Sequence, residues 1–231
     1  MDWIELDKQW LLALNGSDSL FIDSLVKTLT TAATWIPLYA ALIYVVVKNS
    51  DNARRVCLII GGALLCVLLA GSLDDIVVKP LVARWRPARD PEIGVLVDIV
   101  NSYRGGRFGF FSAHASNTFS IAIFLSLVIR SRLLSVALVL WSFVNCWTRL
   151  YLGVHYPGDI IVGLLWGAIV GVGVWAVYSR MEKHTGASAT FVSSHYTKTG
   201  FQQSHIDIVV SVLAFTLVFA IVKACLAVYL L

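Results

Sequence analysis

The chain has 231 residues, of which 58% are hydrophobic and only 14% charged. Soluble domains carry about 25% charged residues, so a water-soluble globular protein is excluded and an integral membrane protein is expected. The formal net charge of +4 is divided among separate short segments, which argues against a nucleic-acid-binding face.

Residues 1–19 are predicted to form an interfacial helix. Trp3, Ile4, Leu6, Trp10, Leu11 and Leu14 recur at helical spacing, with Asp2, Glu5, Asp7 and Lys8 between them. That pattern lays a helix in the headgroup layer with tryptophans at the boundary. The opening Met-Asp-Trp-Ile-Glu lacks the basic n-region of a cleavable signal, so insertion is expected to rely on the spans themselves. Asn15-Gly16-Ser17-Asp18 reads as a turn.

Six apolar runs follow, at about Leu20–Val47, Val56–Val78, Ala113–Ile129, Leu133–Trp147, Pro157–Tyr178 and Ile206–Leu230. Each approaches the roughly 20 residues that a helix needs to cross a bilayer. The predicted fold is all-α: a polytopic transmembrane helix bundle with about six spans. It forms a single membrane-integrated domain over residues 1–231, with a core at 20–178, a polar connector at 179–205 and the last span at 206–231. Gly163, Gly167, Gly171 and Gly173 give the fifth span small faces for close helix packing. The cysteines Cys57, Cys66, Cys146 and Cys225 all lie in apolar runs without metal-like spacing and read as small hydrophobes.

Residues 48–55, 130–132 and 180–183 are short basic links. Such links stay on the cytoplasmic side, which places the long loop 79–111 and the segment 149–159 together on the opposite face. Three polar segments then share that face: Lys79-Pro-Leu-Val-Ala-Arg-Trp-Arg86-Pro87, Phe111-Ser112-Ala113-His114, and Thr148-Arg149 through His155 to Asp159. Charge at a membrane boundary is costly and marks a functional site by default. Lys79, Arg86 and Arg149 supply permanent positive charge, and arginines bind phosphate oxygens bidentately. Ser112 stands where a helix begins, so free backbone N–H groups there also face an anion. His155 precedes Asp159 by four residues across Pro157, a favoured first helical position, which brings carboxylate and imidazole within reach. No carboxylate cluster or HxxxH pattern suggests a metal, and no cofactor is expected.

These segments resemble the three signature motifs of the type 2 phosphatidic acid phosphatase superfamily: Lys-x6-Arg-Pro, Pro-Ser-Gly-His and Ser-Arg-x5-His-x3-Asp. The soluble vanadium haloperoxidases share the pattern, and the membrane frame matches the phosphatase branch. The resemblance covers roughly residues 20–178. It implies His155 as the nucleophile that forms a phosphohistidine, His114 as the acid, and Asp159 as the group orienting His155. Lys79, Arg86, Ser112, Ala113 and Arg149 would hold phosphate, with Arg104 and Arg107 as candidates for a headgroup. Phe111, Ala113 and Thr148 replace the family's proline, glycine and serine. The implied protein is a metal-independent lipid phosphatase of a bacterial cytoplasmic membrane, its site facing the exterior. The expected substrate is a lipid phosphate or diphosphate, with undecaprenyl diphosphate favoured over phosphatidylglycerol phosphate, phosphatidic acid and lipid A phosphates. A phosphotransferase and a non-catalytic lipid-phosphate binder are the rival expectations.

Overall fold

The computed structural model describes residues 2–183 and 194–230; residues 184–193 of the predicted connector lie outside the described residues. Helices begin where a short polar side chain takes up orphaned N–H groups. Asp2 caps α1 (Trp3–Leu14), Ser19 caps α2 (Leu20–Thr30) and Asn52 caps α4 (Ala53–Val67). Ser112 caps α6 (Ala113–Ile129) and Ser131 caps α7 (Arg132–Tyr151). The remaining helices are α3 (Ile36–Lys48), α5 (Lys79–Val82), α8 (Pro157–Lys183) and α9 (Gln203–Tyr229). Among the described residues there is no strand, only two isolated bridges.

The first predicted span is broken. α2 and the helical stretch Ala32–Lys48 meet at a bend of 68°. Pro37 sits in the first turn of α3, and its ring cannot follow a helical carbonyl four residues earlier. The carbonyls that the break releases are taken up by side chains. Thr34 Oγ1 donates to Thr28 O at 2.7 Å, and buried Trp35 Nε1 donates to Leu29 O at 2.8 Å.

The second span is longer than expected. α4 runs through π-helical turns at Leu68–Ser72 and Asp74–Val78 into α5, giving one apolar helix over Ala53–Val82. Lys79 therefore stands on a helix, not in the loop. Arg149 likewise belongs to the last turn of α7. Among the described residues four helices are long and apolar enough to cross a membrane, and the bent pair, taken as one span, makes a fifth. Ala113–Ile129 is the shorter apolar helix at the centre of the bundle.

The core gathers around α6, α7 and α3. Trp141 stacks edge-on against Trp35 at 5.8 Å and Tyr39 at 6.0 Å, the favoured geometry for aromatic pairs. Cys66 and Cys146 are buried as expected, but Cys57 and Cys225 are exposed on the outer faces. α8 lies against α6 through three glycines in step with three serines. A Cβ on Gly163, Gly167 or Gly171 would stand 2.6–2.7 Å from the carbonyl oxygen of Ser112, Ser116 or Ser120. Gly173 faces open space and takes no part in this seam. Gly167→Ala is therefore expected to destabilise the bundle by about 1–3 kcal/mol, as overpacking does. A lowered melting temperature in detergent would show it; Gly173→Ala should leave that temperature unchanged.

The basic links meet at one end. Arg55 pairs with Glu182 at 3.1 Å and donates to Thr199 O at 2.9 Å, while Thr199 Oγ1 reaches Ile129 O and Gln202 N reaches Asn49. The three polar segments meet at the other end, joined by Ala88 N to Gly153 O at 3.1 Å and Ser112 N to Asp159 O at 3.1 Å.

Candidate active site

The segment between α7 and α8 turns at Gly153, whose φ of +62° suits a residue without a Cβ. It delivers His155 into the interior with only 1% of its surface exposed. α8 then starts at Pro157, and Asp159 stands on the third residue of that helix. Its Oδ2 reaches back to accept Tyr156 N–H at 3.0 Å, the acidic half of a capping box. This local motif, needing no distant residue, also aims the same oxygen at His155 Nδ1, 3.6 Å away.

The other ring nitrogen identifies the tautomer. Arg86 Nη1 lies 3.3 Å from His155 Nε2, and a guanidinium only donates. Nε2 therefore accepts, and the ring proton sits on Nδ1 facing Asp159. The Nε2 lone pair is the one that an electrophile would meet. Arg86 is itself fixed by donating Nε–H to Phe108 O at 3.0 Å and Nη1 to Val154 O at 3.3 Å.

His155 binds a proton well below the ordinary 6.5, first because burial disfavours the cation and then because Arg86, Arg149 and Lys79 repel it. The Gly109 carbonyl opposes this weakly. The consequence for stability has a definite sign. The unfolded chain takes up a proton near 6.5 while the native site stays neutral, so acid favours unfolding. Stability is full above about pH 6.5 and falls progressively as the pH drops from there toward the depressed folded value. Thermal unfolding in detergent should show this acid loss, and His155→Gln should shrink it.

Arg149 is buried on α7 and donates to Thr30 Oγ1 at 2.7 Å and Tyr103 OH at 3.3 Å, with its Nε unpaired among the described residues. Together with His114, Lys27, Thr31 and Leu152 these groups line a cavity of about 300 Å³. Burial raises the Tyr103 hydroxyl pKa, but the neighbouring Arg149 charge outweighs it and the net shift is downward. Ser112 caps α6 with its side chain while its N–H binds the Asp159 carbonyl, so the second and third segments are stitched together. Ala113, one residue on, is half-buried.

Lys79 departs from a simple phosphate cradle. Its ammonium pairs with buried Asp74 at 2.8 Å and also with Asp75. The intervening π-turn stacks residues five apart and so places Asp74 beside Lys79. Both aspartates at this helix end are thus ion-paired and not simply solvated. Asp74 Oδ1 further accepts Phe111 N–H at 3.1 Å, linking this pair to the start of the second segment.

Arg104 and Arg107 are not brought into the cluster. Arg104 is exposed against Ala88 O at 3.5 Å, and Arg107 stacks over Trp85 at 4.7 Å and Phe108 at 5.1 Å. Arg84 is the residue that sequence reasoning undervalued. It spans Asp159 Oδ1 at 2.8 Å and Asp7 Oδ2 at 2.6 Å, over the Tyr156 ring at 4.2 Å. Asp7 also accepts Gly158 N–H at 2.7 Å. Thus α1 is amphipathic, with Trp3 and Trp10 exposed, but Asp7 and Lys8 turn to protein while Asp2 and Glu5 stay exposed.

The model for the PAP2 superfamily matches residues 55–183, more than half of the chain. The chain belongs to the PAP2 superfamily. It is 43% identical over 183 residues to a lipid A 4′-phosphatase of Bacteroides thetaiotaomicron, covering 78% of this chain and 79% of that protein. A lipid A 4′-phosphatase of Porphyromonas gingivalis is 33% identical over 181 residues, 76% of this chain and 74% of its own length. A decaprenylphosphoryl-5-phosphoribose phosphatase of Mycobacterium tuberculosis is 38% identical over 96 residues, 42% of this chain and 49% of that one. No solved structure matches the chain significantly. This PAP2 protein is a multi-pass membrane lipid phosphatase, a phosphoric ester hydrolase.

Proposed function

We propose that this PAP2 phosphatase removes the 4′-phosphate of lipid A, using His155 as the nucleophile. The observation that carries the substrate is similarity over three quarters of the chain to two lipid A 4′-phosphatases. The reaction rests on the His155 tautomer and its neighbours. Nε2 attacks phosphorus as the phosphorus–oxygen ester bond breaks, and His114 gives its proton to the departing sugar oxygen. The phosphoryl group is then on His155. Water attacks it, returns a proton to His114, and releases phosphate with His155 restored. Asp159 keeps the Nδ1 proton in place and stabilises the developing imidazolium. Arg86 and Arg149, with the Ala113 N–H and the Ser112 hydroxyl, take the equatorial oxygens. Lys79, while paired with Asp74, adds its field.

The protein is best placed in the bacterial cytoplasmic membrane with this end outward, because its basic links gather at the opposite end. Residues 1–231 then work as one unit, with α1 on the outer interface. The isoprenoid diphosphate reading, favoured from the likeness to short family members without a soluble insert, is not carried by the shorter Mycobacterium tuberculosis match, whose name gives a decaprenyl lipid with a phosphoribose in place of a diphosphate.

Purified protein in detergent should be given lipid A bisphosphate and undecaprenyl diphosphate in separate reactions. The expected product is 4′-dephosphorylated lipid A with an equivalent of free phosphate, identified by mass spectrometry. A larger kcat/KM for undecaprenyl diphosphate would transfer the assignment to that lipid. Phosphate appearing on an acceptor lipid, with none free, would make the protein a transferase.

A further inference from the structure

The family match begins at residue 55, yet side chains before it, Asp7 among them, are built into the site. We propose that Asp7 on the N-terminal helix is a positioning residue for the reaction, acting through Arg84 to hold Asp159 in the orientation that serves His155. The inference rests on the roles given above to His155 and Asp159.

The geometry divides the two carboxylates between the two ends of one guanidinium. Arg84 Nη1 takes Asp159 Oδ1 at 2.8 Å, and Arg84 Nη2 takes Asp7 Oδ2 at 2.6 Å. Because the fork is split, Asp159 is held through one oxygen only. Its Oδ2 is left for Tyr156 N–H at 3.0 Å and for His155 Nδ1 at 3.6 Å. Remove the Asp7 carboxylate and Nη2 loses its partner. An arginine beside a single carboxylate closes bidentately on it, and the second N–H would then compete with His155 for Oδ2. Charge works in the same direction. Two carboxylates around one guanidinium leave a net negative group behind His155, whereas one leaves a neutral pair that stabilises an imidazolium less.

Asp7 is placed to do this by the packing of α1. Leu11 is fully buried in a cluster with Ala88, Ile93, Val97 and Tyr156, and Lys8 pairs with Glu92. Asp7 Oδ1 accepts Gly158 N–H at 2.7 Å. That N–H belongs to the first turn of α8 and has no intrahelical partner of its own. Asp7 therefore grips the same turn that carries Asp159. The outer face of α1, with Trp3 83% exposed, is free for the membrane boundary.

Steady-state kinetics of the full-length protein on a short-chain, detergent-soluble phosphate monoester tests the proposal. Asp7→Asn is expected to lower kcat about tenfold or more with KM nearly unchanged, and Asp7→Glu to recover part of the loss. Arg84→Lys, which offers one ammonium to two carboxylates, should lose kcat similarly, and Asp7→Asn/Arg84→Lys should lose little more than either alone. Lys8→Gln removes the adjacent ion pair of α1 and should keep the wild-type kcat. Wild-type kcat in Asp7→Asn would overturn the proposal. So would an equal loss in Lys8→Gln, because α1 docking in general would then be the cause. Should Asp7→Asn fail to fold, Arg84→Lys decides: an unchanged kcat there refutes the relay. His155→Ala run alongside separates the two levels, since full activity in that variant defeats the nucleophile assignment itself.

Discussion

Replacing His155 by alanine is expected to lower kcat by about five orders of magnitude or more, since removal of a nucleophile leaves only binding and electrostatic stabilisation behind. The side chain is buried, its Nδ1 faces Asp159, and its Nε2 lone pair faces the arginine cluster. Among the described residues no other imidazole stands in that position. His114 shares a cavity with Arg149 but belongs to a different helix, α6. The decisive measurement is acid–base trapping. Wild-type protein mixed with labelled substrate and quenched in base should hold label that acid releases, as a phosphoramidate does. The His155→Ala variant should hold none. Labelled protein in that variant, or activity within tenfold of wild type, would sink the assignment.

The second large effect is expected from Asp159→Asn, at about 10⁴-fold in kcat. The reason is the number of acceptors. Asp159 offers Oδ1 to Arg84 and Oδ2 to Tyr156 N–H, and Oδ2 also faces His155 Nδ1 at 3.6 Å. Asparagine keeps one oxygen and turns an NH2 toward one of those donors. If the amide faces His155, Nδ1 becomes the acceptor and the proton moves to Nε2, which removes the attacking lone pair. If it faces Arg84, two donors oppose each other in a buried space. KM should change little, because Arg86 and Arg149 keep their own anchors on Phe108, Val154, Thr30 and Tyr103. A variant retaining more than a tenth of the wild-type kcat would show that the carboxylate does not govern the tautomer.

The two variants probe opposite sides of one ring. One removes the attacking atom, and the other leaves it in place with the wrong proton. A short-chain soluble substrate suits both, since it separates chemistry from delivery of lipid out of the bilayer.

Much of this architecture was legible in the order of residues. The apolar runs announced a membrane bundle because a bilayer imposes a length on any helix that crosses it. The serine at position 112 announced a helix start, and it is found capping α6. His155 and Asp159 were legible as a pair because one turn around Pro157 brings them together without help from elsewhere. The glycine ladder of α8 was legible too, although Gly173 turned out to face away. Pro37 and the threonines before it carried the signal for the broken first span, outweighed in the sequence reading by the continuous hydrophobicity of 20–47.

Tertiary structure alone decided the rest, and the reason is separation along the chain. Arg149 meets Thr30 across 119 positions, and Arg84 meets Asp7 across 77. No periodicity encodes such pairs; they arise when helices dock and each buried charge finds the nearest partner that lowers its desolvation cost. The same docking left Arg104 and Arg107 outside, whereas the local π-turn gave Lys79 to Asp74 and Asp75. By itself, the sequence determined the residues around Pro157 that put a carboxylate behind an imidazole. The folded bundle decided which cations surround that imidazole, and that the carboxylate is gripped from behind by a helix at the other end of the chain.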